Sequence, residues 1–467
     1  MDQNSVKHDI GSLKIGFFNQ KEREKKLTKG ESFETIYDDH FSLGQSDSYY
    51  SNLNELGNDV RDEILISLND IAKIPDLYSN AIKESVTKIS LLRTISPTSV
   101  TGQFRRLAIG GLRLTNYRFE FISPRIRAKS NSFTLTFEVL PESRPPTNIH
   151  VVIGRNGVGK THLINNMINC LMEDEEDKIK KNGQFIPESI EDGEKLFANL
   201  ISVSFSAFDE TDPRPERKDK TAGIQYSYIG LKRIQTSNEK NMGPKSTVML
   251  RNEFFNSLNT IRTVRKVYRW KEAIGMLESD PIFQEADIRS LIEIEDEEEF
   301  KSTSYDTFKR LSSGHKIVLL TITRLVETLQ ERSLVLIDEP EAHLHPPLLS
   351  AFIRALSELL NSTNGVAIIA THSPVILQEA PKSCVWKLRR AGAEAIADRL
   401  EIESFGENVG VLTNEIFGLE IAKSGFYKLL NKAIEVNDNY EEVVDHFNDQ
   451  LGMEARAIVM SIYSNNN

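Results

Sequence analysis

"LIDEPEAHLHPP" (336–347) packs two histidines, three carboxylates and three prolines into twelve residues. Two chemistries compete for it. Glu339, Glu341, His343 and His345 suggest a hydrolytic metal site. Alternatively, "RSLVLIDEP" (332–340) is a continuous apolar strand of the buried parallel type. Its end, Asp338–Glu339, is the pair that a nucleotide site sets against Mg2+ and water. The metal reading fails on ligand count. His343 and His345 are two apart and would share a face only on a strand, Pro346 and Pro347 follow at once, and no third histidine is near in sequence. The choice turns on whether the rest of the chain supplies a phosphate cradle.

It does. "VVIGRNGVGKTHL" (151–163) contains G-x-x-x-x-G-K-T as Gly154, Gly159, Lys160 and Thr161, with Asn156 and Gly157 inside the loop. An apolar strand precedes it and a helical pattern follows, the context this motif requires. Glycines let the backbone curl so that several N–H groups converge on phosphate oxygens. The helix N-terminus adds its partial positive charge. Lys160 is expected to reach the β- and γ-phosphates, and the Thr161 hydroxyl to ligate Mg2+. Asp338 then becomes the second Mg2+ ligand, and Glu339 the base or orienter of the attacking water.

Two further stretches fit the same chemistry. "KRLSSGHKIVLLTITRL" (309–325) opens a helix with Ser313 and Gly314, residue types that approach a phosphate closely at a helix N-terminus. Alone, such a sequence is an ordinary N-cap; about 25 residues ahead of an Asp–Glu strand in a P-loop chain, it carries weight. "GVAIIATHSP" (365–374) is another buried strand, ending at His372. A lone histidine is usually structural, but one at that strand end is placed to contact the γ-phosphate or the water.

Together, "GRNGVGKT", "LSSGHK", "LVLIDEPEAHLHP" and "ATHSP" resemble the motifs of ABC-type AAA ATPase heads. The form "DEPEAHLHP…ATHSP" is similar to the RecF/SMC/OLD branch, including ATPase subunits of the anti-phage systems Septu, Gabija and PARIS. The resemblance implies a P-loop α/β head with a β subdomain, a helical insertion and a helical C-terminal tail, beside a small α+β N-terminal region. It implies ATP and Mg2+ as cofactors and two heads that sandwich two ATPs. Gly154, Asn156, Gly157, Gly159, Lys160, Thr161, Asp338, Glu339 and His372 would then act in one protomer, with Ser313 and Gly314 contributed by the other. His343 and His345 would organise the seam, and Pro346 or Pro347 would start the next helix. The branch often has a glutamine after the second core strand; here "ISVSFSAFDE" (201–210) offers Ser204, Ser206 or Asp209, with Gln225 more distant.

The 467 residues allow two or three domains. We expect an accessory region at 1–100, the ATPase at 101–400 with a mostly helical insertion at 209–310, and a helical region at 401–467. That insertion is far too short for an SMC coiled coil. Within 1–100, "SLKIGFF" and "SFETIYD" look strand-like, and 53–93 reads as two helices. From 104, "FRRLAIGGLRL" begins a β character. The N-terminus lacks an apolar signal region, no apolar run reaches membrane-helix length, and Cys170 and Cys384 form no CxxC pair, so a cytoplasmic location is expected. A net charge of -11 argues against a uniformly basic nucleic-acid binder but leaves a local basic groove open.

OLD-type and Gabija-type proteins carry a Toprim nuclease after the ATPase. Here about 95 residues follow His372, without an Asp-x-Asp. The nearest approach, "NDNYEE" (437–442), lies between helical patterns. An intrinsic nuclease is therefore not expected. The resemblance instead points to a homodimer or higher oligomer that controls a partner nuclease, of HNH type, with DNA or RNA as a candidate target and no membrane. The alternative is a RecF/SMC-like repair or chromosome-maintenance ATPase acting directly on DNA.

Overall fold

The computed structural model describes residues 8–21, 24, 34–110, 116–125, 132–141, 143–173, 181–188, 196–206, 212–217, 223–234, 243–264, 266–391, 394–421 and 425–465. In chain order the strands are β1 (Leu13–Phe17), β2 (His40–Gly44), β3 (Tyr117–Ile122), β4 (Thr134–Val139), β5 (Ile149–Ile153), β6 (Gln184–Pro187), β7 (Asn199–Ser204), β8 (Gln225–Gly230), β9 (Ser333–Asp338), β10 (Val366–Thr371), β11 (Val385–Ala391) and β12 (Glu394–Arg399). Seven form one sheet in the order β12-β11-β5-β10-β9-β7-β8. All its pairings are parallel except β11 with β12 at the edge.

The reason lies in the side chains. β5, β9 and β10 are buried at every position, which requires cover on both faces. Alternate residues supply the two layers. Val151, Ile337 and Ile369 join the helices Thr247–Thr263, Val267–Leu277, Ser313–Thr328 and Pro346–Ser362 on one face. Val152, Leu336 and Ile368 meet the antiparallel sheet β4-β3-β6 and the helix Lys160–Met172 on the other. β8 was not anticipated: it lies within 209–310, where a mostly helical insertion was expected. Its Tyr226, Tyr228 and Ile229 are nevertheless buried, and β7 aligns it.

The N-terminal residues build a separate core around the β1–β2 hairpin and the helices Asp47–Glu55 and Asn58–Ser67. In the "SFETIYD" stretch, residues 32–33 lie outside the described residues and 34–38 are irregular; the strand falls at His40–Gly44 instead. This core continues to Ala108, because Arg105–Ala108 is helical rather than extended. The helical turn sets Phe104 against Tyr50, with ring centroids 5.1 Å apart. Residues 111–114 of the same expected strand lie outside the described residues. At the other terminus, the helices Gly425–Val436, Tyr440–His446 and Met453–Asn465 share a small core of Leu430, Ala433, Val443, Ala455 and Val459.

Among the described residues, two ion pairs join the N-terminal unit to the ATPase region. Asp47 pairs with Arg269, and Arg106 Nη1 donates to Glu331 Oε1 at 2.7 Å. Glu331 is 2% exposed and sits just before β9. A Cβ on Gly102 would come within 2.6 Å of the Glu331 carboxylate, so a larger residue there would push that carboxylate aside. Removing one partner of a buried pair costs roughly 3–5 kcal/mol. We predict a loss of that order for Arg106→Ala in denaturant unfolding, and a smaller one for the double variant Arg106→Met/Glu331→Gln. Equal losses would show that the charge pairing contributes nothing.

Candidate functional site

The parallel registers bring the C-terminal ends of β5, β10, β9 and β7 side by side. Asp338 lies opposite Ala370 on one side and Ser204 on the other, and Thr371 lies opposite Ile153. Each sequence-predicted residue at a strand end therefore reaches one edge of the sheet.

After β5 the chain turns through Gly157 and Gly159, at φ of 76° and 107°, before the helix Lys160–Met172. These are left-handed conformations that favour glycine. Gly154 is needed for space: a Cβ there would lie 2.5 Å from the Leu388 carbonyl oxygen. Lys160 is 4% exposed, and its ammonium donates to the carbonyls of Gly154 and Arg155, both at 3.1 Å. Glu339 Oε1 lies 3.8 Å from it. Asn156 is exposed at the loop tip.

Thr161, Ser204 and Asp338 line one cavity of about 280 Å3. A hydroxyl, a second hydroxyl and a carboxylate form a hard oxygen donor set that fits Mg2+. Ser204 thus occupies the region where a glutamine was sought. Gln225 does not: it begins β8, at the opposite end of the parallel sheet, and its Oε1 accepts from Gln330 Nε2 at 2.9 Å. Asp209 lies outside the described residues. A second cavity of about 700 Å3 opens beside the loop, between Arg155, Asn156, Arg390, Asn414 and Phe417.

Glu339 adopts φ 45° and ψ 58°, a left-handed conformation that costs a non-glycine residue about 1–3 kcal/mol. Its N–H donates to the Ala370 carbonyl at 2.9 Å, and its carboxylate stands 3.6 Å from His372 Nδ1. Sequence reasoning missed the role of Glu341, weighing it only as a metal ligand. Its side chain is 9% exposed. Its Oε1 accepts from the Thr371 hydroxyl at 2.5 Å and from the His372 N–H at 2.8 Å, with His372 Nδ1 at 3.1 Å. Glu341 therefore orients the end of β10. The sequence held one signal: a strand ending in Thr-His presents donors that require an acceptor.

On the helix Ser313–Thr328, Ser312 is the N-cap and accepts from the His315 N–H at 3.4 Å. Ser313 is exposed on the first turn. Gly314 is buried, and a Cβ there would lie 2.6 Å from the His343 carbonyl oxygen. The "LSSGHK" helix and the "EAHLHP" loop thus touch backbone to backbone within one chain. His345 caps the helix that begins at Pro346, while His343 is exposed.

A sequence profile of the family described as "AAA domain, putative AbiEii toxin, Type IV TA system" matches residues 234–378, which span the Ser313, Asp338 and His372 motifs. Protein ea59 of Escherichia phage lambda is 41% identical over 484 residues, covering 99% of this chain and 91% of that protein. Septu protein PtuA of Bacillus mycoides (strain KBAB4) is 26% identical over 64% of this chain and 46% of its own length. Its namesake of Bacillus thuringiensis is 23% identical over 66% of this chain and 86% of its own. Among solved structures, the ADP conformation of an ATP-binding cassette of an ABC transporter aligns at 14% identity and a TM-score of 0.34, over 66% of this chain and 99% of that one. The SMC head domain of Thermotoga maritima aligns at 12% and 0.29, over 62% and 100%. Among the described residues, no helix is long and apolar enough to cross a membrane. The strand order and motifs make this an ABC-type AAA ATPase, and the chain belongs to the family of protein ea59 of phage lambda.

Proposed function

We propose that the chain hydrolyses ATP between two copies of itself and uses the resulting closure to control a separate effector nuclease, of HNH type, in anti-phage defence. The observation that carries the ATP chemistry is the convergence of Lys160, Thr161, Asp338, Glu339 and His372 on one sheet edge. Ser313, exposed at the start of its own helix, supports the two-copy arrangement: it is available to a neighbour's phosphates. The similarity to Septu proteins supports defence, and a cytoplasmic location goes with it.

The residues divide the work. The P-loop N–H groups and the Lys160 ammonium hold the phosphates, and Thr161, Asp338 and Ser204 offer oxygens to the cation. Bound Mg2+ would neutralise charge on the β- and γ-phosphate oxygens. Glu339 takes the proton from the attacking water as its oxygen bonds to γ-phosphorus and the bond to the ADP oxygen breaks. His372, oriented by Glu341, donates to the γ-phosphate oxygens.

Of the C-terminal carboxylates, Glu442 has a structural duty beside the Asn439 cap. Asn439 caps the helix Tyr440–His446, and Glu442 accepts from the Asp438 N–H at 2.9 Å and from Asn439 Nδ2 at 2.9 Å. This supports an output delivered through a partner.

Three outcomes follow. Glu339→Gln should bind ATP with near wild-type affinity yet turn over roughly 10²–10⁴-fold more slowly, and accumulate a closed dimer on sizing chromatography. Wild-type turnover would remove Glu339 from the base role. Ser313→Arg should abolish hydrolysis while a monomer still binds ATP; loss of monomer binding would mean that Ser313 acts in its own site. Finally, the purified chain should leave plasmid, linear DNA and tRNA intact with Mg2+ or Mn2+, with or without ATP. Cleavage that survives Lys160→Ala but vanishes on mutating Asp438, Glu441 or Glu442 would overturn the partner reading. ATP-dependent retention of duplex ends on filters, without any effector, would instead favour direct action on DNA.

A further inference from the structure

The histidines of "EAHLHP" do not form a metal site with Glu339 and Glu341, but the fold supplies His345 with other neighbours. Asp280, His315 and His345 each offer one ligand atom, and among the described residues these atoms lie within 4.8 Å of one another. Asp280 Oδ1 is 3.0 Å from His315 Nε2, and Asp280 Oδ2 is 3.5 Å from His345 Nε2. Two ligands each about 2.0 Å from a tetrahedral zinc stand about 3.3 Å apart. The two Asp280 oxygens stand near that spacing from the two imidazole nitrogens, and a small side-chain shift would close the three ligands, within 4.8 Å of one another, onto one ion.

The surroundings fit a cation as well. Asp280 and His315 are buried, whereas the His345 side chain is 52% exposed, which gives an entry path and leaves room for a fourth, solvent ligand. His315 Nδ1 lies 2.6 Å from Ser312 Oγ. With Nδ1–H donating to that hydroxyl, Nε2 carries the lone pair a metal needs, and the hydroxyl fixes the ring. His345 is the weaker ligand. Its Nδ1 accepts from the Leu348 N–H at 3.3 Å, and that long bond must be given up when Nε2 coordinates.

We propose that Asp280, His315 and His345 bind a divalent transition-metal ion, with Zn2+ as the reference, at a site separate from the Thr161–Asp338 cavity. Three segments meet there. Asp280 caps the helix Pro281–Glu285, His315 follows Gly314, and His345 follows the His343 carbonyl on which Gly314 packs. A bound ion ties the start of the "LSSGHK" helix to the "EAHLHP" loop and so fixes the position of Ser313. The inference rests on these side chains alone and stands whether or not the dimer reading holds.

The test is Zn2+ titration calorimetry on the chelator-stripped full-length chain in Mg2+-free buffer, with the visible absorption of the Co2+ form as a second readout. One ion per chain is expected, with a rise in Tm of about 2 °C or more at saturation. Ser312→Ala should weaken binding by about 10-fold or more, the cost typical of a lost outer partner. Asp280→Asn and His315→Ala should abolish it, His345→Ala should weaken it, and Asp338→Asn and His343→Ala should leave it unchanged. No binding to the wild-type chain overturns the proposal. So does binding that survives Asp280→Asn and His315→Ala, or binding that disappears in Asp338→Asn. Should those two buried variants fail to fold, wild-type binding together with half-exposed His345→Ala decides: unchanged affinity in His345→Ala overturns the site.

Discussion

The placement of β10 between β5 and β9, parallel to both, is the constraint on which the rest depends. Parallel strands end on the same side of a sheet. Once β10 occupies the gap, His372 must stand between the phosphate loop and the Asp338–Glu339 pair. The carbonyl of Ala370 then accepts the Glu339 N–H, so the central strand also holds the left-handed residue in place. Glu341 returns to the same strand end and accepts from Thr371 and His372. A slip of β10 by one residue would turn its side chains to opposite faces and separate all these contacts at once.

Much of this was legible in the sequence because each part is local. A run such as "SLVLID" states its own burial, and the charged residue that ends it states which edge carries the chemistry. The glycines of the P-loop lie next to one another in the chain, so their left-handed turns can be read together. Ser313 could be singled out because the helix pattern starts beside it.

What escaped the sequence depends on distant segments. β8 is polar in its surroundings and becomes a core strand only because β7 offers an edge. The stretch from Phe104 was read as β, yet it coils, and the contact Phe104 makes there is with Tyr50, more than fifty positions earlier. Asp280 lies 35 residues from His315, and no periodicity links them. The glutamine-like position shows the same limit. Ser204 and Gln225 were both on offer, and only the direction of β8 separates them.

The attachment of the N-terminal unit has a mechanical consequence. Arg106 grips Glu331 just before β9, and Asp338 closes the same strand. Six residues at about 3.3 Å each make a rod of about 20 Å, laced along both sides by neighbouring ladders. Such a rod resists bending and stretching. The strand therefore links the surface that holds the N-terminal unit to the strand end that carries Asp338. A shift of the N-terminal unit along this strand would be felt at the Asp338 end, where a misplacement of about 1 Å can change a rate by roughly 10²-fold.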